Sequence, residues 1–220
     1  MPMDFDAYQL HKRPRGAQHQ FRGWQIISDQ VEPGELQVVW QTLDSVLQAG
    51  VPGDVVEFGC YAGTTSIFIR RLLDEQAAST THVFHVYDSF EGLPEKTAPD
   101  RSPAGTQFSA GKLSVSKKAL LHEFQTAHLR PPVVHKGWFA ELSSADVPEH
   151  IAFAYLDGDF YQSIFDSLRL VWPRLSPGGM VLIDDYGRDA LPGPQRAVHD
   201  FFQGSPPLIR REHDIAILKK

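Results

Sequence analysis

Carboxylates set directly after apolar runs carry most of the chemistry legible in this chain. Asp157-Gly158-Asp159 follows the run 152–156 and Asp184-Asp185-Tyr186 follows 180–183, so two acidic turns become neighbours if those runs pair as strands. Carboxylates crowded in this way raise one another's pKa unless a cation neutralises them. Hard oxygen ligands at a sheet rim suit Mg²⁺ or a similar divalent ion. Asp157, Asp184 and Asp185 are the expected ligands, whereas Asp159 is expected to cap the helix that starts near Tyr161.

A second constellation is Glu57-Phe58-Gly59-Cys60-Tyr61-Ala62-Gly63. Gly59 and Gly63 permit close backbone approach to a ligand lying across the turn. Tyr61 stands where a phosphate-cradling G-x-G-x-x-G loop needs glycine, which disfavours pyrophosphate and with it a nicotinamide oxidoreductase. A nucleoside with a small polar tail fits better. Glu57 would meet its amino or hydroxyl groups, and Asp88, at the end of the run 83–87, its ribose diol. Singly, each of these carboxylates is more often a turn cap; together, with glycines between them, they read as a binding loop. The histidines offer no H-x-x-x-H pair, and His82 and His85, three apart on one strand, are expected on opposite faces. Cys60 is expected to be small packing and not a nucleophile.

Positioning such residues requires alternating strands and helices. Apolar positions Leu36, Val39, Trp40, Leu43, Val46 and Leu47 predict an amphipathic helix from Glu35 that stops at Gly50. The segment 54–59 reads as a buried strand, followed by a helix over 64–75 capped by Thr64 or Thr65. Further strands are expected at 83–87, 133–136, 152–156 and 180–183, and two closing strands at 208–211 and 215–218. Helices are expected over 117–128, 161–175 and 195–202, with Pro173 bending or ending the second of these and Pro177 to Gly179 forming the turn into the next strand. The polar stretch 89–111 is expected to be functional or mobile. The pattern predicts an α/β fold: a seven-stranded, mostly parallel sheet with helices on both faces and an antiparallel C-terminal hairpin. Ligands in such sheets bind beyond the carboxyl ends of the strands.

Length and charge set the outer limits. The 220 residues, 42% hydrophobic and 22% charged, fit one domain, with an N-terminal arm at 1–34 and a core at 35–220. A net charge of −6 disfavours nucleic acid or anionic lipid as the main partner. One cysteine excludes an intrachain disulfide and multi-cysteine metal sites, and no run approaches the apolar length of a membrane span. A cytoplasmic location is expected. Lys12, Arg13, Arg15 and Arg22 concentrate basic charge in the arm, which is expected to be a solvated extension or else a lid or partner contact.

V-V-E-F-G-C-Y-A-G-T-T-S, Y-D-S-F-E-G-L-P-E, K-G-W-F, L-D-G-D-F-Y-Q-S and L-S-P-G-G-M-V-L-I-D-D-Y-G, in this order, resemble the macrocin O-methyltransferase family from about residue 53 to 199. The resemblance implies a class I methyltransferase fold, S-adenosylmethionine as donor, Mg²⁺ as cofactor, and methylation of a hydroxyl on a sugar or other small natural product, in antibiotic biosynthesis for example. It also implies a homo-oligomer. By this likeness Glu57, Gly59, Tyr61, Gly63 and Thr64 belong to the donor loop, and Asp88 holds the ribose. Ser89 and Phe90 flank the adenine, and Gly137 and Trp138 close that side. Asp157, Asp184 and Asp185 match the metal positions, with Asp157 also touching the donor and serving as general base. Two other readings share the fold: a catechol-type metal-dependent O-methyltransferase, and a protein that keeps the fold without catalysis. Acceptor choice is expected to depend on the arm and on the stretch 89–111.

Overall fold

The computed structural model describes residues 3–4 and 24–220, so the basic cluster at 12–22 lies outside the described residues. A two-stranded ribbon pairs β1 (Met3–Asp4) antiparallel with β2 (Gln25–Ile26). Then come α1 (Pro33–Gln48), β3 (Asp54–Phe58), α2 (Thr64–Glu75), β4 (Phe84–Asp88), α3 (Lys117–Thr126) and β5 (Val133–Lys136). The chain closes with β6 (Ile151–Leu156), α4 (Tyr161–Val171), β7 (Leu175–Ile183), α5 (Gly193–Phe201), β8 (Ile209–Glu212) and β9 (Ile215–Lys219). The main sheet has the order β5-β4-β3-β6-β7-β9-β8. Its first five strands are parallel, and β9 pairs antiparallel with both β7 and β8. This is the expected architecture.

Parallel strands roofed by helices on both sides lose both faces to the core, which is why they read as continuous apolar runs. On one face Val55, Val86 and Leu182 pack with Leu36 and Leu43 of α1, Phe68 and Leu72 of α2, and Leu120 and Phe124 of α3. On the other, Val56, Phe58, Ala154, Val181 and Ile183 meet Ile164 and Leu168 of α4 and Ala197 and Val198 of α5. The carboxyl ends of β3, β4, β6 and β7 therefore share one edge, with helix N-termini around it.

Several local expectations are corrected. No threonine caps α2: its N-cap is Gly63, at φ +91°, without a side-chain cap bond. Asp159 does not cap α4. Phe160 holds the N-cap position, and the free Tyr161 N–H donates instead to Asp100 Oδ1 at 2.6 Å, a carboxylate brought in from 61 residues away. The helix ends at Val171 in a short 3₁₀ turn containing Pro173. Strand β7 starts at Leu175, and Pro177 to Gly179 form an irregularity within it, where the pairing jumps from Ile151–Leu175 to Phe153–Met180. His82 precedes β4 and so shares no strand with His85.

The stretch 89–111 is held firmly. Leu93 exchanges backbone hydrogen bonds with Gly111 and Lys112, and Leu93, Phe160 and Leu191 form a small core of their own. Asp100, 1% exposed, also accepts from Thr97 N–H at 3.0 Å and Thr97 Oγ1 at 2.6 Å.

Candidate active site

A cavity of about 770 Å³ opens along the carboxyl edge of the sheet. At the β4–β3 end it is lined by Asp88, Ser89, Trp138, Glu57, Gly59, Tyr61 and Thr64, and at the β6–β7 end by Asp157, Asp184 and Asp185. The two groups expected from separate motifs thus share one space. Gly63, Phe90 and Gly137, expected in the donor site, are not among the lining residues, though each adjoins one in sequence; Phe139 and Ala140 extend the Trp138 wall.

The glycines have a cause internal to the chain. A Cβ on Gly59, at φ +90°, would sit 1.9 Å from the Asp157 carbonyl oxygen, and one on Gly63 would sit 2.5 Å from Leu120 Cδ1. Gly59 is required for β3 and β6 to close together and so fixes where the chain carrying Asp157 emerges. Left-handed backbone also occurs at Tyr61, Asp159, Asp185 and His213, all lining the cavity. Non-glycine residues there carry strain that clusters at functional sites.

Glu57 is buried, accepts a short hydrogen bond from Ser66 Oγ through Oε2, and leaves Oε1 without a partner. Burial pushes its carboxyl up to about 8, against the Ser66 bond and with help from Asp88. Asp88 fastens the loop from the neighbouring strand: Oδ2 accepts from Cys60 N–H at 2.9 Å and Oδ1 from Phe90 N–H at 2.6 Å. The carboxylate is a turn fastener and a cavity wall at once. Cys60 is buried beside it, its thiol raised by burial and by the Asp88 and Glu57 charges.

Ligand atoms of Asp157, Asp184 and Asp185 lie within 4.8 Å of one another. Burial and mutual repulsion hold Asp157 and Asp184 well above the usual carboxylate range, and Asp185 is raised despite its ion pair with Arg188. Asp159 is driven up to about 8 by burial and by Asp185. Tyr155 hydrogen-bonds Asp184, whose Oδ1 remains buried and unpartnered. Convergent carboxylate oxygens in a surplus of negative charge, with an unpartnered buried oxygen on Asp184, have the chemistry that a hard divalent cation requires. Mg²⁺ fits these residues.

Three lining residues were not signalled by motif. Glu35 lies in the first turn of α1, where it reads as an ordinary capping residue; burial and the nearby Asp185 push it up to about 7. Arg188 donates to Asp185 Oδ1 at 2.6 Å and lies 3.8 Å from Asp214, joining the acidic triad to the β8–β9 turn. His213 in that turn packs on the first turn of α1, so that a Cβ on Gly34 would meet its ring at 2.5 Å. Only the charge of Arg188 and its place just after Asp184-Asp185 would have hinted at it.

Comparison with known proteins agrees with this geometry. The model of the macrocin-O-methyltransferase (TylF) family matches residues 6–206. The 8-demethyl-8-(2,3-dimethoxy-alpha-L-rhamnosyl)-tetracenomycin-C 4'-O-methyltransferase of Streptomyces olivaceus is 39% identical over 165 residues, 72% of this chain and 61% of the relative. Mycinamicin III 3''-O-methyltransferase of Micromonospora griseorubida is 34% identical over 167 residues, 72% of this chain and 64% of its own length. The matches thus span less than two thirds of these relatives. The solved O-methyltransferase NovP superposes with a TM-score of 0.74 at 26% identity, covering 93% of this chain and 87% of that one. By its motifs, its sheet order and its family match, the chain belongs to the macrocin O-methyltransferase family.

Proposed function

We propose that this protein is an S-adenosylmethionine-dependent, Mg²⁺-dependent O-methyltransferase acting on a hydroxyl of a sugar or other small natural product. The observation that carries the reading is one continuous cavity with the Glu57–Asp88 binding loop at one end and the Asp157–Asp184–Asp185 triad at the other. Its relatives' named acceptors support a glycoside. One cysteine, and no helix among the described residues long and apolar enough to cross a membrane, support a cytoplasmic enzyme. The family supports a homo-oligomer.

In this reading Asp88 and Glu57 hold the donor's ribose and amino groups, with Trp138 and Ser89 against its base. Gly59, Tyr61 and Thr64 present backbone to its tail, with Gly63, Phe90 and Gly137 adjoining the lining in sequence. Bound there, the donor supplies an electrophilic sulfonium methyl, and a divalent cation on the triad supplies Lewis-acid stabilisation of charge developing on the acceptor oxygen. Asp157, a member of the triad that also lines the donor side, takes the proton of the attacking hydroxyl as the S–CH₃ bond breaks, the O–CH₃ bond forms and S-adenosylhomocysteine is left. Much of the rate would come from holding two substrates in line within a walled cavity.

Calorimetric titration of S-adenosylhomocysteine tests the donor site without knowledge of the acceptor; one-to-one binding is expected. Methyl transfer to methyl α-L-rhamnopyranoside and related 6-deoxyhexosides, compared with transfer to catechol and repeated with chelator, then tests the acceptor class and the metal. Absence of donor binding by folded protein would overturn the reading. Preference for catechol would reassign the acceptor, and chelator-resistant transfer would remove the metal.

A further inference from the structure

Sheet order divides the cavity. Asp88 and Trp138 belong to the β4–β5 side, whereas α1 crosses β6 and β7 and brings its first turn to the opposite end, beside Asp185 and the β8–β9 turn. If the donor occupies the β4–β3 end, as the proposed function requires, the α1 end is left for the acceptor.

Glu35 is placed there by a reciprocal cap. The Glu32 side chain accepts from the Glu35 N–H, and Glu35 Oε2 accepts from the Glu32 N–H at 2.8 Å. The Glu35 side chain lines the cavity, beside the His213 ring that packs on Gly34. The cap uses one oxygen and restrains the side chain at the cavity wall, and among the described residues the carboxylate accepts no other hydrogen bond. The neighbouring cation, Arg188, is already engaged by Asp185 and Asp214. What the carboxylate lacks is a second donor, and a sugar hydroxyl beside the one that reacts is a donor of the right kind.

We infer that Glu35 is a specificity-determining residue of the acceptor end, accepting a hydrogen bond from a second hydroxyl of the acceptor while its cap bond holds it in place. The inference rests on the methyltransferase reading.

Glu35→Gln tests it with the cap intact. An amide oxygen can still accept from the Glu32 N–H, which turns the NH₂ group toward the acceptor's hydroxyl and replaces its charge-assisted bond by, at most, a weaker neutral one. The probe is methyl α-L-rhamnopyranoside with its 2-, 3- and 4-deoxy analogues. Its affinity for protein loaded with S-adenosylhomocysteine and Mg²⁺ is followed by saturation-transfer NMR, and KM and kcat are measured wherever transfer occurs. Glu35→Gln is expected to melt as the wild type does and to bind S-adenosylhomocysteine equally well. It should weaken the glycoside about tenfold, the effect of losing a hydrogen bond to a charged group, with the loss in KM and not in kcat. One deoxy analogue should be insensitive to the substitution. Equal glycoside affinity in wild type and Glu35→Gln, or equal sensitivity of every analogue, overturns the inference and leaves the methyltransferase reading standing. A wild-type protein that binds no S-adenosylhomocysteine removes both.

Discussion

Replacing Asp100 by alanine separates the scaffold of the cavity wall from its chemistry. The buried carboxylate gathers three donors: the first N–H of α4 at 2.6 Å and the Thr97 N–H and hydroxyl at 3.0 and 2.6 Å. Losing a helix cap costs about 1 kcal/mol, and losing two further hydrogen bonds to a charged acceptor adds roughly 1.5 kcal/mol each, for a total of about 4 kcal/mol. In a chain of this size that lowers the melting temperature by roughly 8–16 °C. With the stability of an ordinary domain the variant still folds at 25 °C. Urea unfolding followed by circular dichroism measures the loss, and limited proteolysis is expected to cut the freed 89–111 stretch first. Because Leu93, Thr97 and Phe108 line the cavity, acceptor KM should rise while the affinity for S-adenosylhomocysteine changes little. A loss below about 1 kcal/mol would refute the assignment of Asp100 as the loop's anchor, since the cap alone accounts for about that much. An unchanged proteolytic pattern would do the same.

Three further outcomes are expected. Gly59→Ala should lose about 3 kcal/mol in urea melts, from left-handed strain and a backbone clash with Asp157, and should abolish Mg²⁺ binding in calorimetry because the triad's chain is displaced. In metal-free protein Glu57 and Asp159, both raised to about 8, bind protons in the folded chain that the unfolded chain has released. Stability should therefore fall as pH rises through the range from the ordinary carboxylate values to about 8. The melting shift caused by Mg²⁺ should grow over the same range and vanish in Asp184→Asn. His85 and His135 are 3.1 Å apart nitrogen to nitrogen, with Asp54 on the far nitrogen of His85, and burial lowers both below 6.5. The pair's contribution is present above that value and lost as pH falls below it. A His85→Gln/His135→Gln variant should show a shallower loss of stability on acidification; a steeper one would contradict the assignment.

The sheet was legible because its central strands are buried on both faces and end in polar turns, so apolar runs mark real elements, as at β3 and β6. What failed was decided by distant chain. Asp159 has the residue type and spacing of a cap, but Asp100 reaches the same N–H from another loop, and no local pattern records that competition. The β7 irregularity reads as a turn because Pro-Gly-Gly forms turns when nothing pairs with it; here the C-terminal residue Lys220 bonds to Gly178 and Gly179. The site divides in the same way. Asp157, Asp184 and Asp185 stand at strand ends, so pairing β6 with β7 suffices to bring them together. Glu35 and His213 arrive through the crossing of α1 and the bend of a hairpin, which are tertiary facts.

The site also runs against the economy of the rest of the fold. Its carboxylates repel one another out of water, and several of its residues hold left-handed backbone at a cost of about 1–3 kcal/mol each. Neither feature adds a contact that the core needs. In the proposed reading a cation on the triad and a donor in the loop would offset both costs, because a ligand that binds only the folded chain stabilises it by mass action. The acidic surplus is thus a measure of what the cavity is built to hold. Mg²⁺ and S-adenosylhomocysteine together should stabilise the wild type by more than the sum of their separate effects, because Asp157 belongs both to the cavity lining beside the donor loop and to the triad. Strict additivity in a four-state thermal cycle would show that the two ends of the cavity act independently.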